Sequence, residues 1–364
     1  MAMFPVIEVS GNAFERGRMH GELARSRVER SLRNYADLFS YNGLAWDEVQ
    51  RRGAGFREVV GNFDASLLDE IEGIARGAGR RVEEVLALNA RTEILPAKFL
   101  AKTLGGECTA IAVSPGSSAA SGTLLGQNWD WIGLQRESLV VLRIHGGAEP
   151  DCITLTEAGM LAKIGMNAAG FGICLNILSS IFDGSKPGVP IHVVLRALLK
   201  RTSVSDAIDF ASGVAYAGSS NVLCADRTGA SANLEASPRG LRVVRGNGTT
   251  LCHTNHFLDP EAQAWQSDLQ DILATEPRLQ CAQRHAASRD RHGLEDVKRL
   301  LRDETDGLLS ICRRPDAALP AQARIETVAS VIMELAAGVM HVAPDVPSRC
   351  EYQAVALTRE PVAA

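Results

Sequence analysis

Near residue 105 the hydrophobic rhythm of this 364-residue chain changes, and that change limits the folds open to it. Before it, apolar positions recur at helical spacing. Phe14, Leu23, Val28, Leu32, Tyr35 and Leu38 are broadly compatible with one buried face. Leu67, Leu68, Ile71, Ile74 and Ala75 mark a second helix ending at Gly77 or Gly79. A third is predicted from Val82 to Asn89, with Glu83 and Glu84 in its first turn, where negative charge suits the helix dipole. After residue 105 the texture becomes short β segments separated by turns. LVVLRIH (139–145), CITLTEA (152–158), LAKIGMN (161–167) and FGICLNI (171–177) alternate with Gly-rich connections, as a meander of antiparallel strands would. A helical segment follows Pro190, and Ser205 is expected to cap another through Phe210. Strands resume at 220–226, 230–237 and 241–246, polar helical sequence runs from Asp259 to about Leu309, and 328–335, 338–343 and 352–357 read as the last strands. Such a succession predicts an α+β fold, two sheets face to face with helices outside.

The junction itself, GGECTAIAVSPGSSAASGTLLGQNWDW (105–131), reads as a hairpin: a strand opened by Cys108, a turn of small residues, and a return strand closed by Asp130 between two tryptophans. An antiparallel return brings the two ends side by side, so a thiol and a carboxylate can share one pocket. Free cysteine is among the most buried residue types, so from the hairpin alone a core thiol and a loop aspartate read as well.

Composition narrows the function classes. A hydrophobic share of 46% suits a globular protein with a sizeable core. A net charge of −5, with Lys and Arg scattered along the chain, argues against nucleic acid or anionic lipid as partners. The start lacks a basic segment followed by an apolar stretch, and Val328 to Ala343 is too short and polar to span a bilayer, so neither secretion nor membrane insertion is expected. Eight cysteines without a C-x-x-C pair argue for reduced thiols in a cytoplasm rather than a zinc site or a disulfide scaffold. Nucleotide-binding glycine loops, a G-x-S-x-G elbow and metal-ligand spacings are not found.

Glu107-Cys108-Thr109, Gly126-Gln127-Asn128-Trp129-Asp130 and His253-Thr254-Asn255-His256 together resemble the acyl-coenzyme A:6-aminopenicillanic acid (isopenicillin N) acyltransferase family, which belongs to the autoproteolytic cysteine N-terminal-nucleophile hydrolases. Phe14-Glu15, His20-Gly21, Ile71-Glu72-Gly73-Ile74-Ala75 and Leu88 to Glu93 extend the resemblance upstream, and it runs past Arg324. It implies a four-layer αββα sandwich of two antiparallel sheets. It also implies cleavage between Glu107 and Cys108, giving a helical segment 1–107 and a catalytic core 108–364 that remain together as one compact domain. Cys108 becomes the nucleophile, and its new α-amino group, with a pKa of about 8, serves as its base. By the same resemblance Asp130 holds the new ammonium, Asn255 donates to the oxyanion, Arg324 stands beside the thiol, and Arg313, Trp131 and Ile132 line the substrate pocket. His253 and His256 are read as structural or pocket-lining.

No cofactor is implied, acyl-coenzyme A entering only as a co-substrate. The expected partners are a small-molecule amide or acyl donor and the chain's own cleaved N-terminal fragment. The expected activity is cleavage or formation of small N-acyl amides through a thioester on Cys108, hydrolysis before transfer. Acyl-coenzyme A-dependent N-acylation is the alternative. Glu107 stands where the family usually has glycine, which keeps a third reading open: an unprocessed relative that only binds a ligand.

Overall fold

The computed structural model describes residues 2–95, 108–120, 122–268 and 275–358. The strands are β1 Val6–Val9, β2 Thr109–Val113, β3 Leu124–Ile132, β4 Leu139–Ile144, β5 Cys152–Glu157, β6 Ile164–Asn167, β7 Phe171–Ile177, β8 Ser220–Asp226, β9 Ser231–Ser237, β10 Gly240–Arg245, β11 Thr250–His253, β12 Ile325–Glu334, β13 Val339–Ala343 and β14 Gln353–Ala356. They form two sheets, ordered β1-β4-β5-β6-β7-β8-β9-β10 and β11-β2-β3-β12-β13-β14. Every pairing is antiparallel except β1 with β4, where Val6 lies opposite Val141. That parallel edge refines the expectation of two antiparallel sheets. A parallel neighbour needs a long crossover, and the N-terminal helices and the β2–β3 hairpin supply it.

Helices α1 Ala13–Leu23, α2 Arg25–Tyr41, α3 Trp46–Gly55, α4 Arg57–Phe63, α5 Ala65–Ala78, α6 Val82–Asn89 and α7 Arg91–Ile94 precede the hairpin. Later come α8 Ile191–Leu198, α9 Val204–Ser212, α10 Thr275–Ala287 and α11 Leu294–Leu301. On the outer face of the smaller sheet, α10 lies over β11 and β2 and α11 over β3 and β12. On the larger sheet α9 covers β8, β9 and β10, and α8 joins α5 and α6. The architecture is the expected αββα sandwich, with most of the apolar core between the sheets and beneath the N-terminal helices. Gln127 ties the two sheets: its carboxamide accepts from the Leu175 amide at 2.8 Å and donates to the Leu175 carbonyl.

The tightest helix pair is α1 with α5. A Cβ on Gly17 would stand 2.0 Å from the Glu70 carbonyl oxygen, and one on Gly73 2.1 Å from that of Phe14. Glycine on both helices lets the two backbones touch. Two positions differ from the sequence-based expectation. Phe14 and Leu23 are 37% and 60% exposed, because the chain leaves helical geometry at Ala24 (φ −102°, ψ 14°) and the phase of the stripe resets between α1 and α2. The cap of α9 is Ser203, whose hydroxyl accepts from the Asp206 amide at 3.1 Å, and not Ser205, which lies inside the helix.

Candidate active site

The hairpin forms as read: β2 and β3 pair from Thr109 opposite Asn128 to Val113 opposite Leu124. On the other flank of β2, His253 of β11 lies opposite Ala110. The sheet therefore brings Asn255 to one side of Cys108 and Asp130 to the other, at one end of three adjacent strands. Glu107, the residue before the expected cut, lies outside the described residues.

Cys108 is buried, and its carbonyl oxygen accepts from Asn176 Nδ2 at 2.9 Å and from a guanidinium nitrogen of Arg278 at 3.1 Å. The same Arg278 nitrogen donates to Thr109 Oγ1 at 3.1 Å, and its second nitrogen donates to Asn255 Oδ1 at 3.0 Å. One buried guanidinium thus links the residue at the expected cut to the asparagine expected to stabilise the oxyanion. Asn255 is fixed further by its Nδ2 donating to the Ile177 carbonyl at 2.9 Å and its amide donating to Thr275 Oγ1 at 2.7 Å. The neighbouring histidines are scaffold. His253 Nε2 lies 2.8 Å from Glu235 Oε1. His256 lies 2.9 Å from Thr275 Oγ1, and burial pushes its pKa down to about 4, so it is neutral at pH 7.

Asp130 is also buried. Its Oδ1 accepts from Thr327 Oγ1 at 2.6 Å, and its Oδ2 has no hydrogen-bond partner among the described residues. Burial pushes its pKa up to about 6, against the opposing pull of Arg278, Thr327 and Arg313. A register shift in β12 between Thr327 and Ala329 sits opposite Asp130 and Trp129. Such a bulge re-aims a side chain next to a site. Arg136 donates to the carbonyls of Val328 and Thr327 at 3.2 and 3.0 Å and so satisfies the displaced backbone.

The rest of the Gly126–Asp130 motif has structural work. Gly126 admits α11, since a Cβ there would lie 3.2 Å from Val297 Cγ1 and 3.4 Å from Leu301 Cδ1. Asn128 Nδ2 donates to the carbonyls of Leu301 at 2.7 Å and Ile311 at 2.9 Å, which steadies the segment leading to Arg313. Trp129 faces the other sheet with the Lys163 ammonium 3.9 Å from its ring centroid.

Arg313 is buried; its amide donates to Thr327 Oγ1 at 2.9 Å, its carbonyl accepts from the Thr327 amide at 3.0 Å, and it forms part of the wall of a cavity of about 280 Å³ with Leu308, Leu309, Arg314, Asp316, Leu319 and Ile325. Trp131 and Ile132 are not in that wall. Ile132 is core. Trp131 donates through Nε1 to the Tyr35 hydroxyl at 3.0 Å and lies 4.3 Å beneath the Arg91 guanidinium, so it joins β3 to the N-terminal helices. Arg324 is placed differently from its expected position beside the thiol. Its guanidinium donates to the carbonyls of Leu319 at 2.6 Å and Ala317 at 3.1 Å, clasping the loop that closes the cavity. Arg278 reaches Cys108, at its carbonyl oxygen. Sequence reading missed Arg278 and Asn176. A polar residue inside the otherwise apolar strand FGICLNI was a signal for Asn176, whereas nothing separates Arg278 from the other arginines of its helix.

Against known proteins, residues 117–349 match the model of the acyl-coenzyme A:6-aminopenicillanic acid acyl-transferase family. A relative from Emericella nidulans, acyl-coenzyme A:6-aminopenicillanic-acid-acyltransferase 40 kDa form, is 30% identical over 320 residues, covering 84% of each chain. Among solved structures, penicillin V acylase from Agrobacterium tumefaciens aligns with a TM-score of 0.45 and 14% identity over 65% of this chain and 82% of that one. A variant of conjugated bile acid hydrolase from Clostridium perfringens aligns with a TM-score of 0.49 and 13% identity over 70% and 94%. With the family model matched over more than half of the chain and 30% identity to the Emericella relative over 84% of each chain, this chain belongs to the acyl-coenzyme A:6-aminopenicillanic acid acyl-transferase family of enzymes.

Proposed function

We propose that the chain is a self-processing cysteine amidohydrolase that cleaves small N-acyl amides through a thioester on Cys108. The observation that carries this reading is the Arg278 bridge from the Cys108 carbonyl to Asn255, with the uncommitted Oδ2 of Asp130 on the opposite flank. In maturation the Cys108 thiol attacks the carbonyl of Glu107. The peptide C–N bond breaks, the acyl group passes to sulfur, the nitrogen becomes the α-amine of Cys108, and water hydrolyses the thioester. The new ammonium then meets Asp130, which fixes its direction by a charge-assisted hydrogen bond.

In turnover the neutral amine takes the thiol proton and sulfur attacks the substrate carbonyl. The oxyanion that forms is held by Asn255. The amine product leaves with the proton, and water releases the acid. No cofactor is part of this proposal. A cavity of about 280 Å³ walled in part by Arg313, near the lower end of small-molecule pockets of roughly 300–1,000 Å³, is the proposed acyl pocket; Cys108, Asp130 and Asn255 are not in its wall. Eight free cysteines support work in a reducing cytoplasm, and no helix among the described residues is long and apolar enough to cross a membrane.

Transfer of the acyl group to an amine, with acyl-coenzyme A as donor, is the second reading, favoured by the name of the Emericella relative. Incubation with an acyl thioester and an amine, followed by the ratio of acid to amide formed, separates the two. Hydrolysis predicts mostly acid, and mostly amide establishes transfer. Cys108→Ala should form neither, and turnover by that variant would overturn the proposal.

A further inference from the structure

Outside the site just described, one cluster of side chains has the make-up of a metal centre. Cys281 and His285 stand one turn apart on α10, and Asp303 follows the end of α11. Their ligand atoms, a thiol sulfur, a ring nitrogen and a carboxylate oxygen, all lie within 4.8 Å of one another. A tetrahedral zinc ion with bonds of about 2.0–2.3 Å holds its ligands roughly 3.3–3.8 Å apart. His285 Nε2 and Asp303 Oδ2, 3.1 Å apart, are close to that spacing, and no pair in the cluster exceeds it by more than about 1–1.5 Å.

We propose that Cys281, His285 and Asp303 bind one divalent zinc-like ion, with water as the fourth ligand. The mixed sulfur, nitrogen and oxygen set suits a borderline ion and not magnesium or calcium. The carboxylate is oriented from behind, as metal-bound carboxylates are: the Thr305 hydroxyl donates to Asp303 Oδ2 at 2.9 Å and the Thr305 amide to Oδ1 at 3.1 Å. Two of the nearby cations are engaged elsewhere. Arg299 binds Asp296 at 2.8 Å, and Arg302 donates to the carbonyls of Pro347 and Cys350 at 2.8 and 3.1 Å. His285 is partly exposed and borders a cleft of about 530 Å³ that also reaches Asp303, which gives an ion its route in. On binding, the Cys281 thiol proton passes to solvent and the ion takes its place. Sequence reading found no metal-ligand spacing because the third ligand comes from a different helix end. The position gives the ion a consequence. Arg278 lies three residues before Cys281 on the same helix, and the Asp303 carbonyl accepts from the Cys312 amide, next to Arg313, at 2.8 Å. The ion would staple the helix that carries Arg278 to the segment that carries Arg313.

The full-length protein, stripped with a chelator, is titrated with cobalt(II) and then with zinc(II). One equivalent of cobalt should bind with a thiolate charge-transfer band and the visible bands of a tetrahedral ion, and zinc should displace it. Cys281→Ala and His285→Gln should each weaken binding by about 100-fold or more, whereas Cys108→Ala should bind as tightly as the wild type. Should Cys281→Ala fail to fold, the partly exposed His285→Gln decides alone. Absence of saturable binding, binding indifferent to the folded variants, or loss of binding in Cys108→Ala would overturn the proposal.

Discussion

Asp130 keeps a carboxyl group in the interior with one oxygen uncommitted, and this has a cost in the uncut chain. Burial holds its pKa up to about 6 in the folded chain, against about 3.9 when unfolded. A carboxyl raised on folding contributes stability at pH values below the unfolded pKa, and that contribution is lost as pH rises through the folded one. In the uncleaved Cys108→Ala protein, Asp130→Asn should therefore raise unfolding free energy at pH 8 by on the order of 1–3 kcal/mol, with the gain fading by pH 4. Urea unfolding at the two pH values measures it. In the cleaved enzyme the same substitution removes the partner of the new ammonium, and turnover should collapse. Arg278→Gln frees both the Cys108 carbonyl and Asn255, and should lower kcat/KM by roughly 100- to 1,000-fold. Arg324→Gln, which loosens only the loop over the cavity, should raise KM while kcat stays within a few-fold, which steady-state kinetics with one amide substrate would show. Cys108, Asp130 and Asn255 were legible in the sequence because each sits inside a contiguous motif. Asn176 and Arg278 were not, since each acquires its partner only when a distant segment is brought over β2.

The same division holds among the secondary-structure elements. The strands from β4 to β9 were readable because most are runs of apolar residues, and β9, SANLEAS, alternates polar and apolar, each bounded by turn signals. β1 was not: VIEV has only four residues, and what makes it a strand is parallel pairing with β4, far later in the chain. The α1–α2 break at Ala24 was likewise invisible to a periodicity that treats both helices as one stripe. The α1–α5 contact carries a sharper expectation. Gly73→Ala would drive a methyl group to 2.1 Å from the Phe14 carbonyl oxygen, and separating the helices should cost about 2–3 kcal/mol or more. At Gly55, near the end of α3, an added Cβ meets nothing within 4 Å, so Gly55→Ala should be neutral or stabilise by up to about 1 kcal/mol. Chemical unfolding of the two variants side by side checks both.

For the whole molecule, the proposed cut raises the question of what would keep the N-terminal segment in place. β1 is an edge strand of the larger sheet, Asn89 bonds the backbone of Gly159 and Leu161, and Arg91 pairs with Glu157 at 3.5 Å with both side chains buried. Tyr35 joins the same seam through Glu157 and Trp131. The cut pieces should therefore elute together in size-exclusion chromatography and separate only in denaturant. The claim beneath all of this is that one thiol, at Cys108, both opens the chain and carries the acyl group. Mass spectrometry of freshly purified protein under denaturing conditions tests it most directly. The wild type should give two pieces whose masses place the cut between Glu107 and Cys108, and Cys108→Ala a single chain close to 39.0 kDa. A wild-type protein that turns over amides as one uncut 39.0 kDa chain, or an alanine variant split at the same bond, would contradict it.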